Sequence, residues 1–422
     1  MQYTKKVLKN GMRIITVPMK NNPTTTVLVL VEAGSKYETK QNNGISHFLE
    51  HMCFKGTTKR PHYSDISRDL DTLGTQYNAF TSEEYTGYWV KSSAKNFDAV
   101  LDIVSDMYVN PTLPEREMEK EKGVVIEEIN LYQDIPQRIV WNEFVKLLYG
   151  DQPMGWSIVG PKENIKKMTR ADFIDYRNKH YVASATTVIV AGKVDEKDAV
   201  KKITKAFKDI GTWKKEEKRK VTEYQKVPAA SAFYKDTDQT HLILGVRTFG
   251  VHSKYNPILR VLVGVLAGGM SSRLFVKMRD ELGLCYYVNA DNDAYTDHGL
   301  FGIAAGVDST RVKPALEALL VELKRLVTEK VSPEELAKVK QYLIGNLNLR
   351  LESSDEIANF YGGQEILRAM VKTPEDIVKE IKSVTTEEIR YVAERIFRTE
   401  NLNLAMVGKF KDAGEFRPLL KL

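Results

Sequence analysis

Leu113-Pro114-Glu115-Arg116-Glu117 has an echo in Val331-Ser332-Pro333-Glu334-Glu335, with Pro114 and Pro333 219 residues apart. Each stretch follows an amphipathic helical pattern, Phe97 to Tyr108 and Val312 to Val327. The echo extends outward. Tyr77-Asn78-Ala79 resembles Val288-Asn289-Ala290, and Val190-Ala191-Gly192-Lys193-Val194 matches Met406-Val407-Gly408-Lys409-Phe410, 216 residues on. The patches keep their order. Solenoid repeats run to only ~50 residues, so a repeat this long is a duplicated domain. Lys214 to Lys226 is charged and has no hydrophobic period, which places the join there. The expected division is 1–213, a linker at 214–227, and 228–422.

Local signals fill in the first copy. Val7 to Val17 reads as a hairpin with Asn10-Gly11 as a primed turn. Thr24 to Glu32 is a β-branched strand. Tyr77 to Thr81 and Tyr85 to Val90 are two more strands. Phe97 to Val109 is a helix, broken by Asn110-Pro111, and a long helix runs from Glu115 to about Tyr132. Pro161 to His180 reads as helical, Thr186 to Val194 as a strand, and a helix begins near Asp195.

The two copies differ in one informative way. Only the first carries His47-Phe48-Leu49-Glu50-His51. On a helix, His47 and His51 share a face, with Glu50 beside it. Two imidazoles so placed can hold one transition metal, with room for a water next to the carboxylate. The same spacing also suits two packed histidines on an amphipathic helix. Asn42-Asn43-Gly44 opens this helix, and Ser46 is a candidate cap. The long helix is acidic, with Glu115, Glu117, Glu119, Glu121, Glu127 and Glu128. Glu121 and Glu128 share a face about 10 Å apart along the axis. One can therefore ligate a metal while the other supports a ligand from behind. The residues alone leave Glu127 and Glu128 equal as ligands. The repeat spacing puts Lys340 and Leu347 at the places of Glu121 and Glu128. The second copy is left to bind substrate or close a chamber.

Composition narrows the partners. The 422 residues carry 62 basic and 56 acidic side chains, a formal charge of +6. That is too mild for this length to indicate nucleic acid. The two cysteines, Cys53 and Cys285, form neither a metal spacing nor a disulfide framework. The longest apolar run, Val27 to Val31, is far short of a membrane span. Met1-Gln2-Tyr3-Thr4-Lys5 leads into strand-like sequence without targeting features. The expected location is cytoplasmic, with no membrane partner.

Several longer stretches now stand in order: Gly44-Ile45-Ser46-His47-Phe48-Leu49-Glu50-His51-Met52-Cys53-Phe54-Lys55-Gly56-Thr57, then Gly74 to Tyr88, Glu121 to Glu128, and His180-Tyr181. In the second copy come Gly269-Met270-Ser271-Ser272-Arg273-Leu274-Phe275 and Arg279 to Tyr286. Over nearly its whole length the chain resembles the pitrilysin and insulin-degrading-enzyme peptidases. It is most similar to the short two-domain members related to the mitochondrial processing peptidase. The order H-x-x-E-H is that of inverzincins.

The resemblance implies an α+β fold of two homologous domains, each a largely antiparallel sheet with helices packed on it, forming half of a clam-shell chamber. It implies a zinc-dependent endopeptidase or oligopeptidase acting on extended peptides. One Zn2+ per chain is expected on His47, His51 and Glu128. Glu50 is the expected general base, and Glu121 stands behind the ligands. Arg279 and Tyr286 are expected to stabilise the oxyanion. Asn78, Ala79, Phe80, Thr81 and Ser82 are expected to bind peptide substrate along a sheet edge. A homodimer is implied, with a heterodimer as the other arrangement, so Arg279 and Tyr286 serve either their own chain or a partner. Cys285 departs from the family, which often has a smaller residue there. The competing reading is a non-catalytic subunit or core-protein-like homologue acting in a complex. Such proteins usually lose part of the metal set, and here His47, Glu50, His51, Glu121 and Glu128 are all present.

Overall fold

The β-branched and apolar runs form two sheets in a computed structural model that describes residues 2–367 and 371–422. The first contains β1 (Thr4–Val7), β2 (Arg13–Pro18), β3 (Thr24–Val31), β4 (Gln76–Thr81), β5 (Thr86–Ser93) and β6 (Thr186–Gly192). The second contains β7 (Ala229–Tyr234), β8 (Gln239–Thr248), β9 (Cys285–Ala294), β10 (Gly299–Asp308) and β11 (Asn403–Gly408). Their orders are β1-β2-β6-β3-β5-β4 and β7-β11-β8-β10-β9. Strands β2 and β6 run parallel, as do β7 and β11, and all other pairs are antiparallel.

The orders superimpose when β7, β11, β8, β10 and β9 take the places of β2, β6, β3, β5 and β4. The repeat in the sequence is therefore a repeat of topology. Tyr77-Asn78-Ala79 and Val288-Asn289-Ala290 both lie on edge strands, β4 and β9. The central strand β3 reads Thr-Thr-Thr-Val-Leu-Val-Leu-Val and is buried after its first residue. A strand covered on both faces shows a continuous apolar run and no alternation.

The compact units do not follow the sequence halves. The first comprises Met1–Leu131, Trp156–Arg219 and Arg350–Thr373, and the second Tyr132–Gly155, Lys220–Leu349 and Pro374–Leu422. Two helices are exchanged. Helix Ser354–Leu367, from the second half, packs on β3 and β6 of the first sheet. Ser354 is fully buried, and its hydroxyl bonds those of Thr24 and Thr26 at 2.9 and 2.8 Å. Buried Glu365 meets Lys5 at 2.8 Å. Gly362 approaches so closely that a Cβ there would lie 2.9 Å from Leu30 Cδ1 and 3.1 Å from Ile189 Cδ1. Conversely, helix Pro136–Tyr149, from the first half, packs on β8 and β11. Its Phe144 and Leu148 join Ile243, Leu300, Ala405 and Val407 in one core. A single linker at 214–227 therefore does not separate the two units. The sequence reading had no helix at 136–149, because only Ile135 separates it from the long acidic helix.

Two local expectations change. Val7 pairs with Arg13, so the hairpin closes on the three-residue loop Lys9-Asn10-Gly11 and not on a two-residue Asn10-Gly11 turn. Gly11 N–H donates to Leu8 O at 2.9 Å, and Asn10 Oδ1 accepts from Met12 N at 3.1 Å. Residues 161–180 form two helices, Lys162–Lys167 and Arg170–His180. They divide at Thr169, where Thr169 and Asp172 make a reciprocal capping box. Among the described residues, no helix is long and apolar enough to cross a membrane.

Candidate metal centre

Helix Ile45–Cys53 carries His47, Glu50 and His51. Its first backbone N–H groups need acceptors. Ser46 is not the cap. The buried carboxylate of Glu38 accepts from Gly44 N and Ser46 N, each at 2.8 Å, and from Asn43 Nδ2 at 2.8 Å. Burial raises the Glu38 pKa, and these bonds oppose the rise. The Ser46 hydroxyl instead bonds Tyr176 Oη at 2.7 Å. Phe48, Leu49 and Met52 are fully buried, which fixes the roll of the helix.

That roll brings both histidines to Glu128 on helix Glu115–Asp134. His47 Nε2 and His51 Nε2 each lie 3.5 Å from Glu128 Oε2. One ligand atom from each of the three residues falls within 4.8 Å of the others. Glu127 is exposed and is not part of this group. Behind this group, His51 Nδ1 is 3.0 Å from Glu121 Oε1. A carboxylate can only accept, so Nδ1 carries a hydrogen, and Nε2 on the Glu128 side is the nitrogen that can ligate once it gives up its own proton. Glu121 Oε2 in turn meets Lys55 Nζ at 2.7 Å. Buried His47 Nδ1 has no partner among the described residues.

Two imidazole nitrogens and one carboxylate make the three-residue donor set of hydrolytic zinc sites, which keep a further position open. A carboxylate behind a ligating histidine is the usual support. The donor chemistry therefore fits a zinc ion. The charges agree. Burial acts to lower the His51 pKa, but Glu121, Glu128 and Glu50 outweigh it and push it up to about 9. The cluster thus has an excess of negative charge that draws a cation, whether proton or metal. Glu121 is held below the ordinary carboxylate range: burial opposes this, and the bonds to His51 and Lys55 prevail. Burial raises the Glu50 carboxyl, against its bond from Thr81 and the nearby histidines. Replacing Glu121 by glutamine is expected to weaken zinc affinity by about 10–100-fold. Competition with a metallochromic chelator reads this, and unchanged affinity would reduce Glu121 to an ion-pair partner of Lys55.

Glu50 is only 9% exposed, and Thr81 Oγ1 donates to its Oε2 at 2.6 Å. Asn78, Ala79, Phe80 and Thr81 lie on β4, which pairs with β5 on one side and ends the sheet on the other. Ser82 lies just past the strand and donates from N and Oγ to Tyr85 O, both at 2.9 Å, so it closes the turn. Asn78 Oδ1 accepts from Ala79 N.

Arg279 and Tyr286 belong to the second unit and are brought to each other. Arg279 sits in the π-helical segment Phe275–Glu281, the kind of irregularity common at functional sites. Its guanidinium lies 4.9 Å from the Phe275 ring and 5.1 Å from the Tyr286 ring, and Nη1 donates to Tyr286 O at 3.2 Å. Tyr286 is 74% exposed.

The sequence reading missed Glu38, Lys55 and the bond from Thr81 to Glu50. Only Lys55 left a signal, as a third residue at the four-residue spacing of His47 and His51. In the second copy, buried Leu336 and Val339 of helix Pro333–Arg350 match buried Met118 and Glu121. That register puts Val339 and Asn346 at the places of Glu121 and Glu128, one residue before Lys340 and Leu347, and still supplies no carboxylate.

Residues 13–162 match the family model described as Insulinase (Peptidase family M16), and residues 167–343 that of the Peptidase M16 inactive domain. The chain is 34% identical to the "uncharacterized zinc protease YmxG" of Bacillus subtilis, over 95% of this chain and 97% of that one. It is 34% identical to an "uncharacterized zinc protease" of Rickettsia felis, over 92% and 94%. A protease from Helicobacter pylori aligns with a TM-score of 0.89 at 23% identity, covering 96% of this chain and 99% of that one. A structure from Pseudomonas fluorescens described as a peptidase M16 inactive domain aligns at 0.90 and 16%, covering 97% and 99%. At these identities the two structures speak for the fold alone.

Proposed function

The chain belongs to the M16 (insulinase) peptidase family, and on that premise we propose that it is a zinc-dependent endopeptidase or oligopeptidase hydrolysing extended peptides. The observation that carries the reading is the convergence of His47, His51 and Glu128 next to Glu50 at the end of a free sheet edge. Zinc, one ion per chain on those three residues, supplies Lewis-acid chemistry when bound: it polarises a carbonyl and acidifies water.

The other roles fall to side chains and backbone. Substrate extends β4 by main-chain pairing, which reads backbone and leaves side-chain preference loose. Glu50 takes a proton from the attacking water and delivers it to the leaving amine. Glu121 keeps His51 in the tautomer that turns Nε2 outward. Arg279 and Tyr286 are assigned to the oxyanion, as a fixed cation and a phenol donor. The chain acts as a homodimer. Mixing Glu50→Gln chains with Tyr286→Phe chains is expected to restore activity if Tyr286 serves its partner's site. No recovery assigns it to its own chain, and a monomer by light scattering removes the dimer.

The test is cleavage of a fluorogenic peptide with and without a chelator, alongside elemental analysis. Activity is expected to vanish with chelation and return with zinc. Glu128→Gln is expected to lose the single zinc. Chelator-resistant cleavage, or full zinc in that variant, would overturn the assignment.

A further inference from the structure

β4 offers two different things to a reaction, and they separate at Thr81. Among the described residues no strand pairs with its outer side. The Thr81 side chain is committed elsewhere, to Glu50 Oε2 at 2.6 Å. Thr86 Oγ1 donates to Ala33 O at 2.9 Å and is 3.4 Å from Thr81 Oγ1, whereas Glu50 Oε2 is at 2.6 Å and as a carboxylate can only accept, so the Thr81 proton goes to Glu50. Hydrogen bonds to a carboxylate are shorter and stronger than neutral ones.

The turn after β4 fixes where this hydroxyl stands. Lys36 N donates to Glu83 O at 2.8 Å, and Ser35 N to Ser82 O at 3.3 Å. Lys36 Nζ and Glu84 Oε1 form an ion pair at 2.8 Å, with both side chains 1% exposed. Gly34 lies so close that a Cβ there would be 2.3 Å from Ser82 O. The hairpin tip is thus clamped from outside the helix that carries Glu50.

Resting on the peptidase reading above, we propose that Thr81 is a positioning residue for the general base. By holding Oε2 of Glu50, its hydroxyl presents Oε1 as the oxygen that exchanges the proton. The side chain therefore acts on the base, and only the backbone of this residue acts on the peptide.

The test uses the zinc-loaded enzyme with a fluorogenic peptide and the variants Thr81→Val, Thr81→Ala and Thr81→Ser. Thr81→Val keeps the shape and loses the donor. It is expected to lower kcat by about 10–100-fold, the scale of a misoriented catalytic group, with KM nearly unchanged. Zinc content and thermal midpoint are expected to stay at wild-type values. Thr81→Ser is expected to recover most of kcat. Thr81→Ala carries the same test if the valine variant does not fold. Wild-type kcat in the variants lacking the hydroxyl, a loss confined to KM, or no recovery by serine would each overturn the assignment. An active Glu50→Gln enzyme would overturn the peptidase mechanism itself. An inactive Glu50→Gln beside a fully active Thr81→Val overturns only the role of Thr81.

Discussion

Glu50→Gln is expected to lower kcat by about 10²–10⁴-fold, the usual contribution of a general acid–base group, and to retain one zinc per chain. The amide has the size of the carboxylate and can still accept the Thr81 hydrogen bond at its oxygen. It cannot accept a proton from water at neutral pH. None of the three ligand side chains changes, and His51 keeps its bond to Glu121. Loss of turnover with zinc retained therefore isolates the base from the metal. Elemental analysis and steady-state kinetics on the same preparation read both. A wild-type rate in this variant would assign the base elsewhere. Loss of zinc along with activity would show that the charge of Glu50 helps hold the ion.

Fragments 1–213 and 228–422, produced separately, are expected to fail to unfold cooperatively, and mixed together to regain a cooperative transition. The sequence repeat suggests two independent domains, but each sheet takes a covering helix from the other half. Without Ser354–Leu367 the first fragment uncovers the face that buries Ile357, Tyr361 and Ile366. Each such side chain contributes about 1.5–3 kcal/mol on burial, and a domain's whole net stability is only about 5–15 kcal/mol. Lys5 also loses Glu365, and Thr24 and Thr26 lose Ser354. The second fragment loses Phe144 and Leu148 from its core. Thermal melts by circular dichroism and dye binding to exposed apolar surface check this. A sharp cooperative transition in 1–213 alone would overturn it.

The parts legible from sequence were those set by local pattern. The duplication showed because equivalent strands and turns keep similar residues, and it proved to be topological down to the edge strands β4 and β9. The metal motif showed because helix periodicity fixes which residues share a face. Glu127 and Glu128 could not be separated that way, since adjacent residues differ by a rotation that only packing of the long helix fixes. The helix exchange was invisible for a related reason. The apolar face of Pro136–Tyr149 says that it packs, but not on which sheet. Glu38 bonds residues 5 to 8 positions on through an irregular loop that no periodicity describes, and Thr81 bonds Glu50 across 31 residues of chain. Nothing in the residues around either one announces its partner.

The exchange of helices also sets a schedule for the growing polypeptide. The last strand of the first sheet ends at Gly192, yet the helix that covers it is complete only at Leu367. At about 5–20 residues per second, the first sheet waits roughly 10–35 s at the ribosome with an apolar face uncovered. Helix Pro136–Tyr149 waits longer still, until β11 is made at Asn403–Gly408. Neither half can finish while it is being translated. The metal-binding half is therefore completed by the last-made quarter of the protein, and a nascent chain stalled before residue 350 presents sticky surface for chaperones and proteases instead of a working site.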